Sequence, residues 1–153
     1  MTAVSGISRN FTFTHRITNS TLEGISQEES LLPPPNGGNC INWIMGHIVH
    51  TRDVILKQLG EQEVWTDSEA KALYERGSSP LTESGNALKL SVLLELYNQT
   101  QPRILEGIER LGNSPTSDGK LEDTIAFFNF HESYHLGQLA ILRRILGKDS
   151  VIK

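Results

Sequence analysis

Apolar positions recur at helical spacing in four long stretches of this chain, and turn-rich segments separate the stretches. The first stretch runs from about Ser8 to Ser30, and its predicted buried face consists of Phe11, His15, Thr18, Leu22 and Ile25. The segment "LLPPPNGGN" cannot continue a helix, because it holds three prolines and two glycines. The second helix is predicted over "CINWIMGHIVHTRDVILKQLG", with Asn39 as its N-cap and Gly60 at its end.

The second half of the chain contains a connector and two further predicted long helices. The connector spans Glu61–Gly85 and contains one short predicted helix, "SEAKALYER". A third helix is predicted from about Ala87 to Leu111, and Pro102 inside it should kink or divide it. A fourth runs from about Leu121 to Leu146, before Gly147. With no convincing strand, the pattern predicts an all-α fold: one four-helix-bundle domain over residues 1–153.

Composition and charge narrow the class of protein. A length of 153 residues suits one domain with its own core, and a formal charge of -4 gives no reason to expect nucleic acid or an acidic membrane as a partner. One cysteine, Cys40, excludes an internal disulfide. The sequence holds no apolar run near the ~20 residues of a membrane span. The start "MTAVSGISRNFTF" does not resemble a signal peptide, so we expect a cytoplasmic protein.

The fourth helix carries "HESYHLGQ", from His131 to Gln138, which contains the H-E-x-x-H pattern of zinc proteases. With His131 at zero on a helical wheel, His135 lies at about 40° and Gln138 at about -20°. Phe127, Phe128 and Thr124 lie within about 60° of the same line, so a buried stripe centred on His131 is expected. Two core histidines satisfied by hydrogen bonds would explain the pair, but the flanking amide favours ligation of one metal.

The protease interpretation lacks a third ligand. Ile141 stands where one protease class has its third histidine, and no glutamate follows Glu132. The third ligand must therefore come from upstream, where the candidates are His15, His47 and His50. His50 is expected to face solvent, whereas spacing alone does not choose between the other two.

Two segments together resemble the DinB superfamily, which includes the YfiT-like proteins: "NWIMGHIVHTRDVIL" and "HESYHLGQLAILRRILGK". The resemblance extends to "YERGSSPLT" in the connector. It implies a four-helix bundle in up-down-down-up order, often a homodimer. It also implies a divalent metal, zinc or nickel, bound by the residues at the matching positions, His47, His131 and His135.

The resemblance further implies a thiol S-transferase or isomerase that uses a small thiol such as bacillithiol, mycothiol or glutathione, together with an electrophile. Hydrolysis by a metal-bound hydroxide is the related possibility. Glu132 and Gln138 are the candidate catalytic residues beside the metal. A solvated ion pair is an equally good interpretation of Glu132, at the flank of the site, whereas Gln138 suits a hydrogen bond to a ligand or bound water. The alternative function is a non-catalytic metal-binding protein with a structural or stress-response role.

Overall fold

The computed structural model describes residues 3–79, 81, 86–116 and 118–152, and its regular structure is entirely helical. Six helices follow one another along this part of the chain: α1 Ala3–Leu22, α2 Gln27–Leu31, α3 Ile41–Gln58, α4 Ser68–Ala72, α5 Leu90–Asn113 and α6 Lys120–Ile145. The described ranges contain no strand. The predicted all-α class is therefore confirmed.

The first predicted helix is two helices in the structure. Helix α1 ends at Leu22, and Gly24 adopts a positive φ of 73°, which breaks the helical path. Ser26 then caps α2: its hydroxyl accepts from the Glu29 amide, while the Glu29 carboxylate accepts from the Ser26 amide. This capping box starts a new helix where apolar periodicity alone predicted continuity.

The start of α3 also differs from the prediction. Cys40, not Asn39, is its N-cap residue, and no side chain caps the first turn. Cys40 is buried among apolar side chains, and burial raises the pKa of its thiol. It is therefore a core residue at this helix start. Gly60, with a φ of 77°, follows the helix end as predicted.

Pro102 does not divide the third long helix, because α5 continues through it. Pro102 and Asn98, whose carbonyl would otherwise accept a hydrogen bond from position 102, both lie on the exposed side of the helix. Water can therefore solvate the released carbonyl. Of the two predicted outcomes, division is wrong, and a kink at Pro102 stays a prediction.

The four long helices pack together so that α1 and α3 each contact both α5 and α6. Helices α3 and α5 touch at both ends. The Asn42 amide near the start of α3 donates to the Leu88 carbonyl just before α5, at 2.9 Å. Leu59 after α3 packs on Gly107, late in α5. Helix α3 also contacts α6, and their middles meet where Arg52 donates to Glu132.

None of the helices within the described ranges has both the length and the apolar character needed to cross a bilayer. Pro80 and Thr82, within the "YERGSSPLT" segment, lie outside the described residues. The single domain over residues 1–153 stays a prediction.

Candidate metal centre

Three histidines from two helices converge between α3 and α6. One ring nitrogen from each of His47, His131 and His135 lies within 4.8 Å of the other two. His47 is 8% exposed and His135 7%, while His131 is half-buried. These are the residues that the resemblance implied as ligands; we call them the histidine triad.

Hydrogen bonds hold two of the rings by their Nδ1 atoms. His47 Nδ1 lies 2.8 Å from the Tyr74 carbonyl, and His135 Nδ1 lies 2.7 Å from Gln138 Oε1. Both partners are oxygen acceptors, so each Nδ1 carries the hydrogen and each Nε2 keeps a lone pair. Protein metal ligands are commonly oriented in this way.

The remaining ring nitrogens support the fit of a cation. His131 Nε2 lies 3.1 Å from His135 Nε2, so these basic atoms must share either a hydrogen or a positive ion. Nitrogens around one zinc ion stand about 3.3 Å apart, given Zn–N bonds of about 2.0 Å. His131 Nδ1 is buried and has no hydrogen-bond partner among the residues that the structure describes. This donor set fits a divalent metal that prefers imidazole.

Burial keeps the triad uncharged at neutral pH. Desolvation lowers the pKa of His47 and His131, and it lowers the pKa of His135 to about 4. The proximity of His47 and His131 adds to the depression at His135. Because only neutral imidazole binds a metal, the lone pairs are available at pH 7.

The other two candidate histidines have different positions. His15 is outside the triad: its Nε2 lies 2.8 Å from Asn98 Oδ1, and its ring stacks on Tyr97 at 5.0 Å. His50 was expected to face solvent, but it is half-buried and its ring lies parallel to that of His47, 6.4 Å away. Neither belongs to the group whose ligand atoms converge.

Glu132 lies in the core, which corrects the expectation that it sits at the flank of the site or in solvent. It is 2% exposed, and its two oxygens accept from Arg52 Nε and Nη2, each at 2.8 Å. The Tyr97 hydroxyl donates to it at 2.9 Å. Burial disfavours its charge, but Arg52 more than offsets this and holds the pKa of Glu132 below its ordinary value. The predicted catalytic role therefore loses its geometric basis.

The helical-wheel analysis placed the centre of the buried face incorrectly. Helix α6 buries Ile125, Asn129, Glu132, His135, Leu139 and Leu142. This face is centred nearer Glu132 and Leu139 than His131, so His131 stands at its edge. Phe127, which was expected within the buried stripe, is 59% exposed and stacks near His131 at 6.5 Å.

Gln138 lies at the same edge as His131, close to its predicted position. Besides accepting from His135, it places its amide nitrogen 3.4 Å from the Tyr134 hydroxyl. Tyr134 in turn meets the His135 ring edge-on at 5.3 Å. The glutamine is thus held on both sides, with its oxygen towards the imidazole.

Three further residues shape the site, and sequence reasoning missed the roles of Arg52 and Tyr74. Arg52 is fully buried, and an arginine between the apolar groups "IV" and "VIL" of the second predicted helix was the available signal. Trp43 stacks on His47 at 4.8 Å and donates to Ser78 Oγ at 2.9 Å. Tyr74 acts on His47 through its main-chain carbonyl, which no side-chain pattern reveals.

Comparison with known families gives one match. The sequence model of the DinB superfamily matches residues 10–139, a range that includes the whole triad. None of the curated proteins matches the chain.

Proposed function

Because the chain belongs to the DinB superfamily, we propose that its histidine triad binds one divalent metal, zinc or nickel, and that the protein is a metal-dependent thiol S-transferase or a related isomerase or hydrolase. The convergence of three neutral imidazoles, two of them held by Nδ1 hydrogen bonds, carries this proposal. Three protein ligands leave the metal an open position for a substrate.

A divalent cation held by the triad would lower the pKa of a thiol or water bound to it, and would thereby supply a thiolate or hydroxide at neutral pH. In S-transfer, the sulfur forms a bond to the electrophilic carbon as the bond to the leaving group breaks. The proton of the thiol passes to solvent.

The residues of the chain would bind the metal, orient its ligands and exclude part of the water from the site. His47 and His135 are nearly buried, so they exclude water from two sides, while half-buried His131 faces the open edge. Gln138 fixes the His135 ring, and its position at this edge makes it the one candidate we retain for contact with a bound thiol or water.

Metal stoichiometry tests the ligand set. Elemental analysis of protein purified without chelators should give one metal per chain, and His47→Ala, His131→Ala or His135→Ala should abolish it. His50→Ala is the matched control, because His50 lies one turn from His47 on α3 but outside the triad. Stoichiometric metal in His131→Ala or His47→Ala would overturn the assignment.

A conjugation assay tests the activity. The metal-loaded protein should speed addition of a small thiol to monochlorobimane, with bacillithiol, mycothiol, glutathione and cysteine tried in turn. Activity should disappear on chelation and in His131→Ala. If the protein showed no conjugation activity with any of these thiols at full metal occupancy, hydrolysis or a non-catalytic metal-binding role would be favoured instead.

We extend the proposal to the helix order and the assembly. The up-down-down-up order is supported by the contacts of α3 with α5 at both ends, from Asn42 at Leu88 to Leu59 at Gly107, which make these two helices parallel.

A homodimer is supported by an exposed apolar stripe on α6, formed by Phe127, Phe130, Tyr134, Ile141 and Ile145. Light scattering at micromolar concentration tests the dimer, and a sharp mass of 17.0 kDa would refute it.

A further inference from the structure

Tyr74 lies in the turn after α4, in the connector between α3 and α5, yet it is completely buried against α3. Its main-chain carbonyl accepts from His47 Nδ1 at 2.8 Å. A histidine near solvent can rotate its ring or exchange tautomers, whereas this bond fixes both. The position of the Tyr74 backbone therefore determines where His47 Nε2 points.

Gly46, the residue before His47, lets the connector come this close. A Cβ at Gly46 would stand 2.1 Å from Cδ1 of the Tyr74 ring and 2.4 Å from its Cε1. No real structure tolerates such distances, so any larger residue would displace the ring. Glycine is unfavourable inside a helix, so the close approach accounts for its presence here.

The hydroxyl of Tyr74 fixes the other end of the ring. It donates to Asn42 Oδ1 and accepts from the Leu88 amide, both at 2.9 Å. Asn42 lies one turn before Gly46 on α3, and Leu88 lies just before α5. The ring is thus held along one side by Gly46 and at its tip by Asn42, which is also on α3, and by Leu88. Its burial raises the pKa of the hydroxyl to about 12, so it remains a neutral donor.

We propose that Tyr74 is a positioning residue for the metal centre: its ring, seated on Gly46, holds its own carbonyl in place to orient His47. The inference rests on the proposed metal function for its importance, but the orientation itself exists without metal. It also assigns Asn42 and Gly46 of the "NWIMGH" segment to one task, since both hold the Tyr74 ring.

Gly46→Ala is the sharpest test, because alanine is the better helix former and any loss must come from the displaced ring. In the metal-free protein, nitrogen NMR of the imidazoles should show His47 only as the Nδ1–H tautomer. In Gly46→Ala it should become a mixture of tautomers. Metal affinity, measured by competition with a chromophoric chelator, should fall ~10 to 100-fold, as for other residues that orient ligands. The visible spectrum of the cobalt-substituted protein should change.

Gly107→Ala is the matched control. It also crowds a helical glycine, with Leu59 Cδ1 at 2.8 Å, but Leu59 follows the end of α3, twelve positions after His47. It should reduce stability yet leave the His47 tautomer, the cobalt spectrum and metal affinity unchanged. Tyr74→Phe keeps the ring on Gly46, so it should retain the tautomer and most of the affinity that Tyr74→Ala loses.

The outcomes separate this inference from the proposed function. A wild-type protein that binds no metal but shows the fixed tautomer would overturn only the function. A single Nδ1–H tautomer with unchanged metal affinity in Gly46→Ala would overturn the inference. An equal loss of affinity in Gly107→Ala would overturn it too, because the effect would then be general destabilisation.

Discussion

Adjacent residues of α6, His131 and Glu132, belong to two polar clusters with opposite character. Glu132 and Arg52 form a buried ion pair in which both carboxylate oxygens are bonded and the guanidinium also donates to Thr100 Oγ1 at 3.0 Å. The histidine triad instead directs ring nitrogens towards one another and, within the described part of the chain, leaves His131 Nδ1 without a partner. A closed network holds helices together, whereas an under-satisfied one suits binding.

Breaking the closed cluster should have the largest effect on stability. Glu132→Ala leaves the buried Arg52 charge uncompensated, so the free energy of unfolding should fall by about 3–5 kcal/mol, as measured by urea denaturation. A loss below about 1 kcal/mol, typical of exposed pairs, would contradict the closed-cluster description. Lys120→Ala, which removes an exposed ion pair with Asp118, is the control and should leave the urea midpoint unchanged.

Replacing the whole pair sharpens the same point. Arg52→Met combined with Glu132→Leu removes both charges at once, so most of the stability lost in Glu132→Ala should return. If the double variant were as unstable as the single one, the hydrogen bonds around the pair would matter more than its charge.

Removing metal from the open cluster should have the next largest effect. At a free metal concentration of 100 times Kd, binding stabilises the fold by about 2.7 kcal/mol, so chelation should lower Tm by about 5–11 °C. The helical circular dichroism should persist, because a domain of this size can maintain its core without metal. His131→Ala should melt identically with and without chelator. Complete unfolding on chelation would show that the metal is structural.

Loosening one ligand should have a smaller effect. Gln138→Ala removes the acceptor that orients His135, so metal affinity should fall ~10 to 100-fold in a chelator competition. Tyr134→Phe keeps the ring beside His135 and should bind metal like the wild type. Equal affinity in Gln138→Ala would show that burial alone orients the His135 ring.

The two clusters should lose their contributions to stability over different pH ranges as the solution is made more acidic. The pKa of each triad histidine is lower in the folded state than the ordinary value of 6.5, so the unfolded chain binds more protons below that pH. The stability of the metal-free protein should therefore decline as pH falls from 6.5 towards 4. The pKa of Glu132 is also lowered, so its contribution is present above the unfolded value of about 4.3 and is lost only at more acidic pH. Urea denaturation across this pH range measures the decline in stability. The decline should be shallower in His135→Gln than in the wild type if the histidines cause it.

The sequence predicted the long helices because apolar spacing reports which faces are buried. It did not predict the break at Gly24, since one residue with positive φ leaves that spacing almost intact. The buried face predicted for α6 is rotated by about a quarter turn from the observed one. The reason is that exposed Phe127 and buried Glu132 reverse the usual relation between polarity and burial. Residue types alone could not reveal that Arg52 compensates that glutamate.

Only some residues of the candidate metal centre could be anticipated from the sequence, whereas metal binding itself stays a prediction. The pair at His131 and His135 follows from helix geometry, and family resemblance selected His47 over His15. The acceptor for His47 could not be found in this way, because it is the Tyr74 backbone, 27 positions away. Its one indirect sign was Gly46, a glycine inside a helix with no evident local reason.

The pairing of Arg52 with Glu132 also has a consequence for the order of folding. The two residues are 80 positions apart, so their contact closes a long loop of chain and forms only once α6 has docked on α3. His47 can contact His131 and His135 only after the same docking of α6 on α3. A chain still emerging from the ribosome therefore cannot assemble this centre until α6 is available, and binding of the proposed metal would have to follow the docking of α6 on α3.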